Sequence, residues 1–400
     1  MSDTTATMDI DRVRRETPGC ERVIHLHNSG SSLMPEPVYR ATLRHLEREY
    51  LGGGYEAAAA AGEEIEAFYG NCAAMLGCDP GEIAFMENAT AAWNAVFYGF
   101  ARTLGRGDVI LTATAEYASN FIACLQVAQW TGCTVRVVPD DAYGQVDCEA
   151  LESMIDANVR LISITHVPTN GGLVNPAAEV GAIARRHGVP FLLDACQSAG
   201  QVPLDVEAIG CDALSATGRK YLRGPRGTGL LYVRRESMDR LPPATLDLHG
   251  ARWTSASSYR MEDNARRYEN FENNVAGQIG LGVAIGYANE LGLDNINRRI
   301  RTLADGLRDD LENIPGVTVR DKGLERCGIV TFTHQSVAPE TMRARLAERG
   351  INIGSSNAWS TLLDMTGRGL DSVARCALHY FNTEAELATY LEQLEDVVRA

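Results

Sequence analysis

"VPFLLDACQSAGQVPLDVEAIGCDALSATGRKYLRGPRGTGLLYVR", residues 189–234, decides how this chain folds. It contains three short apolar runs, "VPFLLDA", "DALSAT" and "TGLLYVR", separated by polar and glycine-rich connections. Working outward, runs of the same kind rich in Val, Ile and Leu recur as "DVILTAT", "TVRVVP" and "VRLISITH", alternating with helix-like segments between residues 80 and 235. That alternation predicts a mostly parallel sheet covered by helices. The Gly-rich turn before "TGLLYVR" is too short for a right-handed crossover, so this last strand is expected to run antiparallel to its predecessor.

After about residue 275 the texture changes. "GQIGLGVAIGYANELGLDNINRRIRTLADGLRDDLENIPG" has helical periodicity and stops at Pro315-Gly316. A smaller α+β unit follows, with strands "VTVRD", "GIVTFTH" and "SVARCALHYF", a helix at "ETMRARLAERG" and a last helix. That helix opens on Thr383 and Glu386, a capping box. The expected organisation is an N-terminal segment, 1–45, serving the site and the small domain, a large domain at 46–275, and a linking helix with the small domain at 276–400.

Composition narrows the function. The 400 residues are 45% hydrophobic and 22% charged, with a formal charge of −15. This describes a globular chain without the clustered Lys and Arg that nucleic acid requires. The apolar runs are too short to span a bilayer, and the N-terminus lacks the basic and apolar regions of a signal peptide, so a cytoplasmic protein with no membrane partner is expected. Ten cysteines with no CxxC and no His-rich spacing indicate neither a zinc site nor a disulfide framework, and no metal is expected.

In an open α/β sheet, ligands lie beyond the carboxyl ends of the strands. Those positions here carry Glu116 and Tyr117, then His166, Thr169 and Asn170, then Asp194 and Gln197, then Thr217, Arg219 and Lys220. Asn88, Ala89 and Thr90 precede a predicted helix, a place where backbone amides and a hydroxyl can meet a phosphate. Of 37 basic residues only two are lysines, and one of them, Lys220, stands in the glycine-rich turn. An arginine stays protonated at any working pH, whereas a lysine supplies the free amine an imine needs. Asp194 and Lys220, each at a strand end, suit a carboxylate that holds a pyridinium and an amine that forms a Schiff base.

On these residues the sequence resembles the pyridoxal-phosphate enzymes of fold type I, in the class V aminotransferase superfamily. The resemblance runs from "IHLHNSGSSLMP" to "VARCALHYFNTEAE". It implies an α/β fold of a large domain with a mostly parallel sheet flanked by helices plus a smaller α+β domain, pyridoxal 5'-phosphate as cofactor, an amino-acid substrate and a homodimer. Lys220 corresponds to the lysine that binds the cofactor and moves the Cα proton. Asp194 corresponds to the partner of the ring nitrogen, Gln197 to the contact of the phenolic oxygen, and Tyr117 to the aromatic that stacks on the ring. Asn88, Ala89, Thr90, Thr217 and Arg219 match phosphate-side positions, Arg219 standing where desulfurases commonly have histidine. Arg375 matches the clamp of the substrate carboxylate. Gly30, Tyr55, Thr169, Asn170, Asn357 and Trp359 are further substrate-side candidates.

The departures from the cysteine desulfurases of this superfamily are specific. Residues 354–364, "GSSNAWSTLLD", contain no cysteine where those enzymes carry their nucleophile. Glu272 in "YENFENN" replaces a threonine that meets the partner's phosphate, and Thr169 replaces an asparagine. "GGGYEAA" and "GRKYLRGPRG" resemble hercynylcysteine sulfoxide lyases and the cysteine-conjugate enzymes of lincosamide pathways. The expected activity is therefore β-elimination from an S-substituted cysteine, giving a thiol or sulfenate, pyruvate and ammonia. Epimerisation, transamination or oxidative decarboxylation or deamination on the same cofactor is the alternative, and a cofactor-binding protein without catalysis is a third reading. Cys196, between Asp194 and Gln197, is expected to point away into packing. His27, His166 and His249 are weaker candidates, and His166, at a strand end, reads as a satisfied histidine outside the reacting set.

Overall fold

The computed structural model describes residues 8–399. The N-terminal segment contributes one short strand, β1 (Ile24–Leu26). Seven strands then follow: β2 (Ile83–Met86), β3 (Val109–Ala113), β4 (Thr134–Val138), β5 (Val159–Thr165), β6 (Phe191–Asp194), β7 (Ala213–Thr217) and β8 (Gly229–Val233). They form one sheet in the order β2-β8-β7-β6-β5-β3-β4. The five from β3 to β7 pair in parallel, while β8 runs antiparallel to both β7 and β2. Every expected large-domain strand is present, and β8 has the expected direction.

Helices cover both faces of this sheet, and the strands divide their side chains between two apolar layers. Phe191 and Leu193 of β6 pack with Leu214 and Ala216 of β7 in one layer. Leu192 and Ala213 pack with Trp93, Phe97 and Leu231 in the other. Alternate residues of a strand point to opposite faces, so a strand covered on both sides must be apolar at nearly every position.

A hairpin, β9 (Ala251–Ser255) with β10 (Ser258–Met261), projects from the large domain and exposes Trp253 and Tyr259. The helices Val275–Leu291 and Leu293–Glu312 follow, broken at Gly292, whose φ of 80° lies in the region that favours glycine. The second sheet contains β11 (Val317–Val319), β12 (Ile329–His334), β13 (Ile351–Asn357) and β14 (Ser372–Ala377), in the order β1-β13-β14-β12-β11. β1 enters parallel to β13, which ties the N-terminal segment to the last quarter of the chain. The last helix, Glu384–Arg399, is capped as expected: Thr383 N donates to Glu386 Oε2 and Glu386 N to Thr383 Oγ1, both at 3.2 Å.

The strands β1, β2, β9, β10 and β13 were not anticipated. β13 includes Gly354, Ser355, Ser356 and Asn357, residue types poor in strand preference. They are extended because each pairs with β14, an instance of tertiary pairing overriding local preference.

Leu193 is fully buried in the main apolar layer. Leu193→Ala should cost about 2–5 kcal/mol, read in chemical denaturation as a lower midpoint at unchanged slope.

Candidate active site

Because β3, β5, β6 and β7 are parallel and neighbouring, the residues after each strand converge on one edge of the sheet. There they line a pocket with the start of the helix Ala89–Ala101. Asn88 caps that helix, its side chain accepting from Ala91 N at 2.9 Å. The first amides of a helix have no acceptor within it, so Ala89 and Thr90 present donors to the pocket.

Asp194 ends β6 and is buried. Its carboxylate accepts from Asn120 Nδ2 at 2.8 Å and from Cys196 N at 2.8 Å. Burial raises its pKa, while the Cys196 amide, Asn120 and the Lys220 ammonium oppose that rise. Lys220 is buried, and its Nζ lies 3.3 Å from Cys196 Sγ. Burial lowers the Lys220 pKa, and Arg219 acts in the same direction. The amine therefore becomes uncharged, and nucleophilic, at lower pH than an ordinary lysine.

Cys196 corrects an expectation: it lines the pocket beside Lys220 instead of turning into packing. The reason is local. The chain leaves β6 in a turn, with Ser198 N and Ala199 N both bonded to Ala195 O, so the strand's alternation of faces ends at Asp194.

Gln197 Nε2 donates to Ser29 O at 3.2 Å and approaches Thr169 Oγ1 at 3.4 Å, and its Oε1 is buried without a partner. Thr217 Oγ1 is 3.4 Å from Thr228 O. Arg219 lines the pocket, but its Nη1 donates to the Gly30 carbonyl, and Ser32 N bonds Arg219 O at 2.8 Å. The Ser29–Ser32 stretch thus closes one side of the site. Gly30 is required there because a Cβ would overlap the His27 ring at 2.2 Å. Burial pushes the His27 pKa down to about 4 and does the same for His166, so both rings are neutral at pH 7.

Arg375 projects from β14 of the second sheet towards the large domain. Its Nη1 donates to Thr169 Oγ1 at 2.6 Å and Thr169 O at 3.1 Å, and its Nε is buried without a partner. Burial pushes its pKa down to about 10, still well above neutrality. Asn170 is engaged elsewhere: its Nδ2 holds Ser360 Oγ at 2.8 Å and Thr361 Oγ1 at 3.1 Å. Tyr55, Asn357 and Trp359 are exposed and do not line the pocket. Glu272 is also exposed.

The site fits pyridoxal phosphate. A buried amine and a buried carboxylate both line the pocket with the start of a helix, Gln197 Oε1 in that lining is buried without a partner, and Arg375 Nε is likewise unpartnered behind Thr169, itself a lining residue. Asn120 and Thr165 also line the pocket but were not singled out from sequence. The signal for Asn120 was its spacing four residues after Glu116 at a helix start. Among the described residues no cluster of His, Cys, Asp or Glu suits a metal ion, and no helix is long and apolar enough to cross a membrane.

Comparison with known proteins agrees with the fold. The sequence profile of the aminotransferase class-V family matches residues 24–389. A probable cysteine desulfurase of Methanothermobacter thermautotrophicus is 30% identical over 98% of this chain and 98% of its own. A probable cysteine desulfurase of Halalkalibacterium halodurans is 31% identical over 78% of this chain and 77% of its own. The solved apo structure of a cysteine desulfurase from Thermococcus onnurineus superposes with a TM-score of 0.90 at 27% identity, covering 99% of both chains.

These relatives overturn the expected elimination from S-substituted cysteines, together with its alternatives of epimerisation, transamination and oxidative decarboxylation or deamination. That expectation leaned on short stretches and a missing cysteine, whereas the full-length similarity is to desulfurases. One of the stretches, "GGGYEAA", falls largely in the exposed helix Gly54–Ala60, outside the pocket lining.

With only Lys220 and Lys322 in the chain, the state of the Lys220 amine is directly measurable. Competitive acetylation of the cofactor-free protein should show Lys220 titrating below the ordinary lysine value of 10.5. In Lys220→Ala, borohydride should no longer fix the cofactor to the chain.

Proposed function

The chain belongs to the class-V aminotransferase family and is a pyridoxal-phosphate enzyme, and on that premise we propose that it removes sulfur from free cysteine, leaving alanine. The observation that carries this reading is the 30% identity, over nearly the whole chain, to a probable cysteine desulfurase, combined with a site built on Lys220, Asp194, Gln197 and the Arg375–Thr169 pair.

When bound, the cofactor supplies an aldehyde for the substrate amine and a ring that draws the electron pair left at Cα. The roles of the chain's own residues follow from their chemistry. Arg375 holds the substrate carboxylate, with Thr169 fixing its guanidinium. Lys220, uncharged at lower pH than usual, takes and returns protons on the substrate carbon. Of the residues lining the pocket, Asp194 would hold the ring nitrogen, Gln197 would meet the phenolic oxygen and Tyr117 would lie against the ring. Asn88, Ala89, Thr90 and Thr217 would hold the cofactor's phosphate, with Arg219 beside them in the lining. The cysteine-free segment 354–364 carries no thiol, so sulfur leaves the pocket on an acceptor other than this segment.

Holoenzyme given L-cysteine and a dithiol as sulfur acceptor should form alanine and sulfide in equal amounts. Formation of pyruvate, with no alanine, would overturn the proposal.

A homodimer belongs to the same reading. The helix Glu36–Gly52 exposes Tyr39, Leu43, Leu46, Tyr50 and Leu51, and the β9–β10 hairpin adds Trp253 and Tyr259. Large apolar side chains exposed along one helix and one hairpin are the kind of surface that association covers. Light scattering should give twice the chain mass of 43.4 kDa, and a Trp253→Glu, Leu46→Glu double variant should move it towards one.

A further inference from the structure

Glu116 is buried next to residues of the site without itself lining the pocket. Four donors converge on its carboxylate: Thr112 Oγ1 at 3.0 Å, Asn120 Nδ2 at 3.0 Å, Tyr117 N at 2.9 Å, and Thr165 Oγ1. Three of the residues supplying them, Tyr117, Asn120 and Thr165, do line the pocket. The same Asn120 amide nitrogen donates to Asp194 Oδ2 at 2.8 Å. One NH2 group therefore spans two buried carboxylates, giving a hydrogen to each.

This arrangement has an electrostatic cost. Among the described residues no cation bonds Glu116. The titratable groups facing it are Asp194 from β6 and Cys124 from the helix Ala118–Thr131, while Asp194 itself faces Lys220 and Cys196. Burial first, and the Asp194 charge after it, push the Glu116 pKa up to about 7. Two adjacent buried anions are costly unless a cation is placed against one of them. A protonated ring nitrogen on Asp194 is such a cation.

We propose that Glu116 is a positioning residue for the cofactor: it orients Asp194 through Asn120, fixes the backbone from which Tyr117 reaches the ring, and adds a second negative charge that favours the protonated cofactor. This rests on pyridoxal phosphate being the cofactor and is independent of which substrate is used.

Glu116→Gln removes the charge with little change of shape, since the threonine hydroxyls can rotate to accept from an amide. Loss of an anion near the cofactor lowers its proton affinity at whichever group is titrated. The absorbance of the bound cofactor in the E116Q holoenzyme should therefore titrate about one pH unit lower than in the wild type, and cofactor should bind about threefold to tenfold more weakly by fluorescence titration. Glu116→Asp, which retains the charge, should restore most of the midpoint. Asn120→Ala breaks the bridge while leaving the Glu116 carboxylate in place with its other three donors, and should displace the midpoint, which keeps the test open if E116Q fails to fold. An E116Q or N120A titration superimposable on the wild type overturns the proposal, and so does an E116D midpoint displaced as far as that of E116Q.

Discussion

Parallel strands buried on both faces impose the constraint on which the rest of this structure depends. Along β3, β5, β6 and β7 nearly every side chain must be apolar, because each face meets a layer of helices. Polar chemistry can begin only where a strand stops. Since these strands run in one direction and lie side by side, their ends form a row, and the groups of the site are members of that row. Asp194, aligned with Thr165 on one side and Ser215 on the other, shows the register that does this.

The row concentrates charge in a dry place. Asp194, Glu116 and Lys220 are all buried, and the shifts of all three are led by loss of water. Burial favours the neutral form of each, which suits an amine that must attack but opposes a carboxylate that must hold a cation. The hydrogen bonds correct the second tendency: Cys196 N and Asn120 donate to Asp194, and four donors serve Glu116. Such a pocket is completed by a ligand that brings a positive charge and acceptors of its own.

The two lysines divide the work. Lys220 is placed for its amine. Lys322 is placed as an ammonium, joining Asp140 of the large domain at 2.8 Å to Asp364 at 3.1 Å. Asp364 also takes Arg368, and Asn170 holds Ser360 and Thr361. The cysteine-free segment is thereby tied to the large domain at Ser360 and Thr361 and, through Lys322, at Asp364, while Trp359 and Leu362 stay exposed. Its first residues form part of β13 and its last are fastened by charge, so it is held beside the site without lining the pocket.

How much of this was legible follows from how local each feature is. The apolar runs, the antiparallel β8, the Thr383–Glu386 cap, and the placing of Lys220, Asp194 and Gln197 after strands depend on residue type over short distances, and the sequence displays them. The Asn120 bridge, the approach of Cys196 to Lys220, the Arg219 contact with Gly30 and the reach of Arg375 to Thr169 join residues 24 to 206 positions apart. No periodicity encodes such pairs. The sequence by itself pointed to the cofactor chemistry, because an amine and a carboxylate at adjacent strand ends can supply it and the motifs around them resemble those of pyridoxal-phosphate enzymes. Tertiary structure alone decided which buried groups share a donor and which candidates reach the pocket, because burial and distance, which set those energies, exist only once the sheets have assembled.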